Sequence, residues 1–269
     1  MTLIESDEQE RDIDMKVVII GGTGLIGSKL VTTLRERGDD AVAASPDTGV
    51  NTLTGQGLAE VLQGASVVVD VSNSPSFEDK AVMEFFTTST RNLLEHAADA
   101  GVKHYVALSV VGTGRIPDSG YLQAKNAQET LIRGAGIPYS IVHATQFFEF
   151  INRIADEATD GTTVRLPPIL IQPMAADDVA EAVGRIAVGE PLNGTVDIAG
   201  PEQFRFDELI RLSLRARTDP REVVVDPRAR YFGAELDERS LVPAGEARLG
   251  EIRFREWLGQ RVATASRSR

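Results

Sequence analysis

Two periodicities take turns along this chain. Val17-Val18-Ile19-Ile20 is an unbroken run of β-favouring apolar residues, the pattern of a strand buried on both faces of a parallel sheet. Ile26, Leu30 and Leu34 then recur at helical spacing. The exchange repeats: Ala41–Ala44 predicts a short second strand, and Leu58, Val61 and Leu62 a small helix. Val67–Val71 predicts a third buried strand, and Val82, Phe85, Phe86, Leu93, Leu94 and Ala97 a long helix ending near Gly101. Tyr105–Ser109 predicts a fourth strand, residues 121–134 a helix and Ile137–Val142 a fifth strand. Units of this kind connect by right-handed crossovers into an α/β fold with a doubly wound parallel sheet.

Past residue 145 the rhythm breaks. Phe147, Phe148, Ile151 and Ile154 predict a helix, followed by short strands near Thr163–Arg165 and Ile169–Ile171. Asp177-Asp178-Val179 opens another helix, Thr195–Ile198 reads as a strand and residues 206–216 as a helix. Residues 219–258, with Pro220, Pro227 and Pro243, predict irregular structure closed by a short helix around Trp257. The expected organisation is a disordered acidic leader over 1–14, with Met15 as an alternative start, and a main domain over 15–150. A small irregular C-terminal substrate lobe over 151–262, with elements returning to the sheet, and a frayed tail over 263–269 complete it.

Composition narrows the function classes. A chain of 269 residues can bury a large core, and 42% hydrophobic with 25% charged residues is ordinary for a globular protein. No apolar run approaches a membrane span and no signal pattern opens the chain, so a cytoplasmic location without membrane contact is expected. The absence of cysteine excludes disulfides, thiolate metal sites and a cysteine nucleophile. A net charge of −12 argues against nucleic acid, whose phosphates it repels. His96, His104 and His143 lie far apart without ligand spacing, and no metal is expected. A small molecule is the expected partner; monomer and homodimer both stay open.

Chemistry enters at the end of the first strand, in Gly21-Gly22-Thr23-Gly24-Leu25-Ile26-Gly27. Strand, glycine turn and helix are the context of a dinucleotide-binding loop in a Rossmann-like domain, here spaced G-x-x-G-x-x-G. Gly21 turns where a Cβ would clash, Gly24 lets the backbone approach a pyrophosphate, and Gly27 lets the helix pack on the strand. Free N–H groups at the helix start, with the positive end of its dipole, face the phosphates. Cofactor choice turns on the end of the second strand, where an acidic residue would bind a ribose diol and repel a 2′-phosphate. Ala43-Ala44-Ser45-Pro46 offers neither a carboxylate nor an arginine there. Ser45 either donates to a 2′-phosphate or is a plain turn residue before proline; NADP(H) is favoured over NAD(H). Asp70, at the end of the third strand, either nears the crevice or simply caps a loop.

The second signal is Tyr121-Leu122-Gln123-Ala124-Lys125. Residues four apart share one helix face, so phenol and ammonium can point into one cleft. An ammonium about 4 Å away, at an effective dielectric of about 20, is worth roughly 4 kcal/mol, enough to lower a tyrosine from ~10 towards neutrality. That suits a general acid or base. Ser109 ends the preceding strand, beside the ligand crevice, where its hydroxyl can hold a substrate oxygen. Residues 112–120 form either a lid or a mobile surface loop, and Phe147, Phe148 and Phe150 read as core, with one ring available to a flat apolar substrate.

Together these residues resemble the short-chain dehydrogenase/reductase superfamily over about 15–150, most closely its atypical, NmrA-like branch of NAD(P)H-binding enzymes and redox-sensing regulators. The Gly-Gly-Thr-Gly-x-Ile-Gly loop, the Ala124-Lys125-x-x-x-Gln128-Glu129 helix and Ile141–Phe148 are typical of it, as are Gln172-Pro173 and Asp177–Ala180. The resemblance implies that the loop glycines with Thr23, Leu25 and Ile26 hold the pyrophosphate. It places Val71, Ser72 and Asn73 beside the adenine ribose and Lys125 on the nicotinamide ribose, with residues 143–147, His143, Ala144 and Thr145 foremost, bordering the nicotinamide. His143-Ala144 stands where the branch has Arg-Pro, so no role carries over from that arginine, and His143 reads as a packed polar residue. Tyr121 is present where many regulators of the branch lack it. The reading is an NADP(H)-dependent oxidoreductase acting on a carbonyl, quinone or enone, with Tyr121 as proton donor, Lys125 tuning it and Ser109 positioning the substrate. The alternatives are a sugar-nucleotide epimerase using tightly held NAD, and a cofactor-sensing regulator without turnover.

Overall fold

Residues Val17 to Ile20 are fully or almost fully buried in the first strand, β1 (Lys16–Ile20), as an unbroken apolar run requires. The structure, a computed structural model, describes residues 15–267, with side chains through Arg261; the expected leader lies outside the described residues. The chain continues through α1 (Leu25–Glu36), β2 (Asp40–Ala44), α2 (Leu58–Leu62), β3 (Val67–Asp70) and α3 (Asp79–Asp99). Next come β4 (His104–Val110), α4 (Gly120–Gly134), β5 (Tyr139–Ala144) and α5 (Ile151–Glu157). Then follow β6 (Thr159–Asp160), β7 (Thr163–Leu166), β8 (Leu170–Ile171), α6 (Ala176–Ala187) and β9 (Gly194–Ala199). The last elements are β10 (Phe204–Arg205), α7 (Phe206–Ala216), β11 (Glu222–Val225), β12 (Arg248–Leu249) and α8 (Phe254–Arg267).

Seven strands form one parallel sheet in the order β12-β9-β5-β4-β3-β1-β2, a Rossmann-like α/β fold. The order reverses between β1 and β3, where the carboxyl ends of the strands open a crevice. Alternation along each strand sends residues to two cores. Val17, Ile19 and Val69 pack with Leu30 and Leu34 of α1 and with Val179 and Val183 of α6. Val18, Val68 and Tyr105 pack with Leu93 of α3 and Ile132 of α4. A third cluster joins Phe148, Ile154, Phe206, Leu209, Phe254 and Trp257 of the C-terminal segments.

The elements differ from the sequence pattern in several places, the short strands β6 and β10 among them. β5 starts two residues later than expected, after Pro138, which accepts from the Tyr105 N–H but cannot donate to the ladder. The helix expected from Phe147 opens instead with a 3-10 turn, Phe148–Phe150, before α5. The stretch expected to be irregular contains β11, parallel to β7, and β12, which extends the central sheet beside β9. α8 runs through Arg267, so the tail expected to fray from Ala263 is helical to that point. Among the described residues, no helix is long and apolar enough to cross a membrane, and no three His, Cys, Asp or Glu gather to hold a metal ion.

Candidate active site

β1 ends in a glycine turn built by backbone contact. Gly21 has φ +79°, and its N–H donates to the Ala44 carbonyl at 2.8 Å, tying the turn to β2. A Cβ on Gly21 would sit 2.9 Å from Ser72 Cα, and one on Gly27 only 2.1 Å from the Gly21 oxygen. Gly22, not singled out by the sequence reading, is as tight: its Cβ would meet Ala43 Cα at 2.6 Å. The doubled glycine was its visible signal. Gly24 precedes α1 without a side-chain cap, and no acidic residue occupies the first helical turn. The first N–H groups of α1 are therefore left for an anion.

A cavity of about 950 Å³ opens from this turn across the carboxyl ends of the strands. Gly21, Thr23, Gly24, Leu25 and Ile26 line its near end, with Ser45, Val71, Ser72 and Asn73 beside them. Ser109, Tyr121, Lys125, Ala144 and Thr145 line it farther in. Gly27 and His143, expected in the same set, are absent from the lining. Thr145 is 2% exposed, and its hydroxyl has no hydrogen-bond partner among the described residues; nor has the buried Gln146 Oε1 beside it. Both residues line the cavity, and a buried orphan of this kind costs about 1–3 kcal/mol until a ligand or water meets it. The glycine cradle and these polar atoms fit a nicotinamide dinucleotide. The 112–120 segment contacts the C-terminal part of the chain through Arg115, which donates to the Val242 carbonyl at 3.2 Å, and buries Ile116.

α4 starts at a Ser119 cap, whose hydroxyl oxygen accepts from the Leu122 N–H, and presents Tyr121 and Lys125 to the cavity. The expectation that Lys125 depresses Tyr121 is corrected here. The Lys125 ammonium donates to the Leu108 carbonyl at 2.9 Å and to Gln128 Oε1, and lies 4.3 Å from the centre of the Phe86 ring. Gln128 in turn donates to Asp70 Oδ2 at 2.9 Å, while Asp70 Oδ1 accepts from the Ser72 N–H and hydroxyl. Burial lowers Lys125 to about 8, against the opposing pull of Asp70 and Glu129. The Tyr121 hydroxyl donates to Asn73 Oδ1 at 3.2 Å, and burial pushes the phenol up to about 12. At neutral pH this phenol is therefore protonated.

Ser109 is also corrected. It is 2% exposed, and its hydroxyl donates to Glu129 Oε1 at 2.6 Å rather than standing free for a substrate oxygen. Strand alternation turns it to the α4 face with Tyr105 and Ala107. His143 Nε2 reaches the same Glu129 oxygen at 2.9 Å, its Nδ1 lies 3.3 Å from Asp197 Oδ1, and Arg133 donates to Glu129 Oε2. His143 thus belongs to a polar network around the buried Glu129 and not to the cavity lining. Burial alone would push Glu129 up, but His143, Ser109 and Arg133 outweigh it and hold the carboxyl below its ordinary 4.5. A folded-state value below the unfolded one stabilises the fold above about pH 4.5 and is lost as pH falls through the folded value. Thermal unfolding followed against pH should therefore show an acid limb that flattens in Glu129→Gln. Ser109→Ala should destabilise by about 1–2 kcal/mol and leave coenzyme affinity unchanged.

A family model described as NAD(P)H-binding matches residues 21–187, from the glycine turn to the end of α6. The chain belongs to this NAD(P)H-binding family. A curated relative, the photosystem II assembly factor Ycf39 of Synechocystis, is 22% identical over 221 residues, covering 75% of this chain and 67% of the relative. A short-chain dehydrogenase/reductase superfamily protein of Agrobacterium tumefaciens with bound NAD superposes with TM-score 0.71 at 17% identity, covering 94% and 97% of the two chains. DesIV, a dTDP-glucose 4,6-dehydratase of Streptomyces venezuelae with NAD bound, gives 0.72 at 18% identity over 94% and 97%. At these identities the structures share the fold. The family and the fold agree with the short-chain dehydrogenase/reductase resemblance carried by the motifs, and the matched stretch contains Tyr121, Lys125 and Thr145.

Proposed function

We propose that this protein is an NADP(H)-dependent oxidoreductase that moves a hydride between nicotinamide and a carbonyl, quinone or enone. The observation that carries the reading is that a protonated phenol, Tyr121, lines the same cavity as the glycine turn and the orphan Thr145 hydroxyl. The α1 N–H groups with Thr23, Leu25 and Ile26 hold the pyrophosphate, and Val71, Ser72 and Asn73 flank the adenine ribose. Lys125 bonds the nicotinamide ribose, and Ala144 and Thr145 border the nicotinamide. The bound coenzyme supplies or accepts the hydride. Tyr121 gives its proton to the substrate oxygen: burial holds the phenol protonated at neutral pH, so the proton is in place when the hydride arrives. Ser109 acts through Glu129, as a positioning residue behind the site.

Coenzyme choice rests on Ser45 and Asp47. Ser45 is almost buried and lines the cavity, which supports a donor to a 2′-phosphate. Asp47, whose carboxylate accepts from the Thr23 hydroxyl at 3.4 Å, opposes that phosphate but is exposed and outside the lining. Calorimetric titration with NADP(H) and NAD(H), followed by NADPH oxidation against a panel of quinones and aldehydes, tests the reading. Tighter NADPH binding with turnover is the expected result. Binding without any turnover replaces it with the sensor reading, and NAD released only on denaturation replaces it with the epimerase.

A further inference from the structure

The far half of the cavity is built from exposed aromatic rings and very little charge. Phe77, Phe150 and Phe232 come from three separate segments and are 46%, 41% and 50% exposed, and all three line this one cavity. Exposed apolar side chains gathered in one concave place mark a binding surface. Phe232 sits at φ +46°, in the left-handed region that bulky residues avoid. The turn holding it there is closed by reciprocal N–H···O bonds between Tyr231 and Ala234, at 2.9 and 3.0 Å. Strain of this kind persists where surrounding structure imposes it, and here it holds a ring in the cavity lining.

Among the described residues, two basic ones line the cavity. Lys125 is buried and already bonded to the Leu108 carbonyl and Gln128. Arg153 stands with its guanidinium carbon 4.5 Å from the centre of the Phe77 ring, and that ring centre is 5.8 Å from the centre of the Tyr121 ring. Among the described residues no carboxylate lies within 4.0 Å of Arg153, in a chain carrying 40 acidic residues. The acidic residue of the lining, Asp79, opens α3, where the helix dipole offsets its charge. The cavity therefore offers a ligand several aromatic faces and one planar cationic fork, one ring away from the proton donor.

We infer that this half of the cavity binds a planar aromatic molecule bearing a single carboxylate, its ring among Phe77, Phe150 and Phe232 and its carboxylate on Arg153. This names the substrate class for the oxidoreductase reading and rests on it for the role of Tyr121. A guanidinium fork matches one carboxylate with two parallel hydrogen bonds. A nucleoside diphosphate sugar brings two phosphates, and Arg153 is the lining cation left to meet them.

The test is calorimetry with 1-naphthoate, neutral 1-naphthalenemethanol and dTDP-glucose, on the protein alone and with NADP+. Naphthoate should bind at least about tenfold more tightly than the alcohol, with dTDP-glucose weakest. Arg153→Met should bring naphthoate to the level of the alcohol without moving the alcohol, and Phe232→Ala should weaken both. Arg153 is exposed, so the variant should unfold at the wild-type temperature. An unchanged naphthoate affinity in Arg153→Met, or dTDP-glucose binding ahead of naphthoate, overturns the inference. Naphthoate binding intact in a protein that takes up neither NADP(H) nor NAD(H) overturns the oxidoreductase reading and upholds this one.

Discussion

Tyr121→Phe should abolish most turnover while leaving the coenzyme in place: NADPH oxidation falls by about 10²–10⁴-fold, with coenzyme affinity within about twofold of wild type. The substitution removes one hydroxyl and keeps the ring, so the contacts with Phe77 and Phe86, at centroid distances of 5.8 and 5.9 Å, survive. Structurally the loss is the hydrogen bond to Asn73, worth about 0.5–1.5 kcal/mol. The larger effect on rate must come from the missing proton. The pH profile assigns the groups. Tyr121 stays protonated up to about 12, so an alkaline limb near pH 8 belongs to Lys125, which loses its ammonium proton as pH rises through about 8. Lys125→Met should remove that limb. Rates in Tyr121→Phe within a factor of two of wild type, measured on any substrate the wild type turns over, would end the proton-donor assignment.

The residues that matter were legible to different depths. The glycine turn and the five leading strands are local patterns, fixed by apolar runs and by where a Cβ cannot go, and periodicity finds them. β11 and β12 are not local. Each becomes a strand by pairing with β7 or β9, far along the chain, although Val223-Val224-Val225 carried a readable apolar run. Spacing puts Tyr121 and Lys125 on one helix face but does not give their orientation, which Gln128 and Asn73 decide through hydrogen bonds. Ser109 departs from the sequence pattern for a physical reason: Tyr105, Ala107 and Ser109 alternate onto the α4 face, where Glu129 accepts from its hydroxyl. Among the phenylalanines, Phe148 is core at 2% exposure, whereas Phe150, two residues on, is exposed in the cavity. Phe232 and its turn lie in a stretch whose sequence shows no periodicity at all.

The glycine turn carries the other large prediction. Gly24→Ala should reduce coenzyme affinity by about 100-fold or more, equivalent to about 2.7 kcal/mol, with little change in unfolding temperature. Gly24 is extended, with φ −79°, and its Cβ would approach the Gly21 oxygen at 3.2 Å, a contact that a few tenths of an ångström relieve. The methyl group then stands on the surface where a pyrophosphate must approach the backbone. Gly27→Ala should behave differently, losing affinity and stability together, since its Cβ would lie 2.1 Å from a backbone oxygen that cannot swing aside. Overpacking of this order costs about 1–3 kcal/mol. Gly134→Ala is the control: nothing lies within 4 Å of its added Cβ, and in α4 it should raise stability by about 0.5–1 kcal/mol with affinity unchanged. Calorimetry and thermal unfolding on the three variants separate a loop that holds phosphate from one that merely turns the chain. Undiminished coenzyme affinity in Gly24→Ala would mean that the dinucleotide does not lie against this turn, and the placement of Tyr121 beside its nicotinamide would go with it.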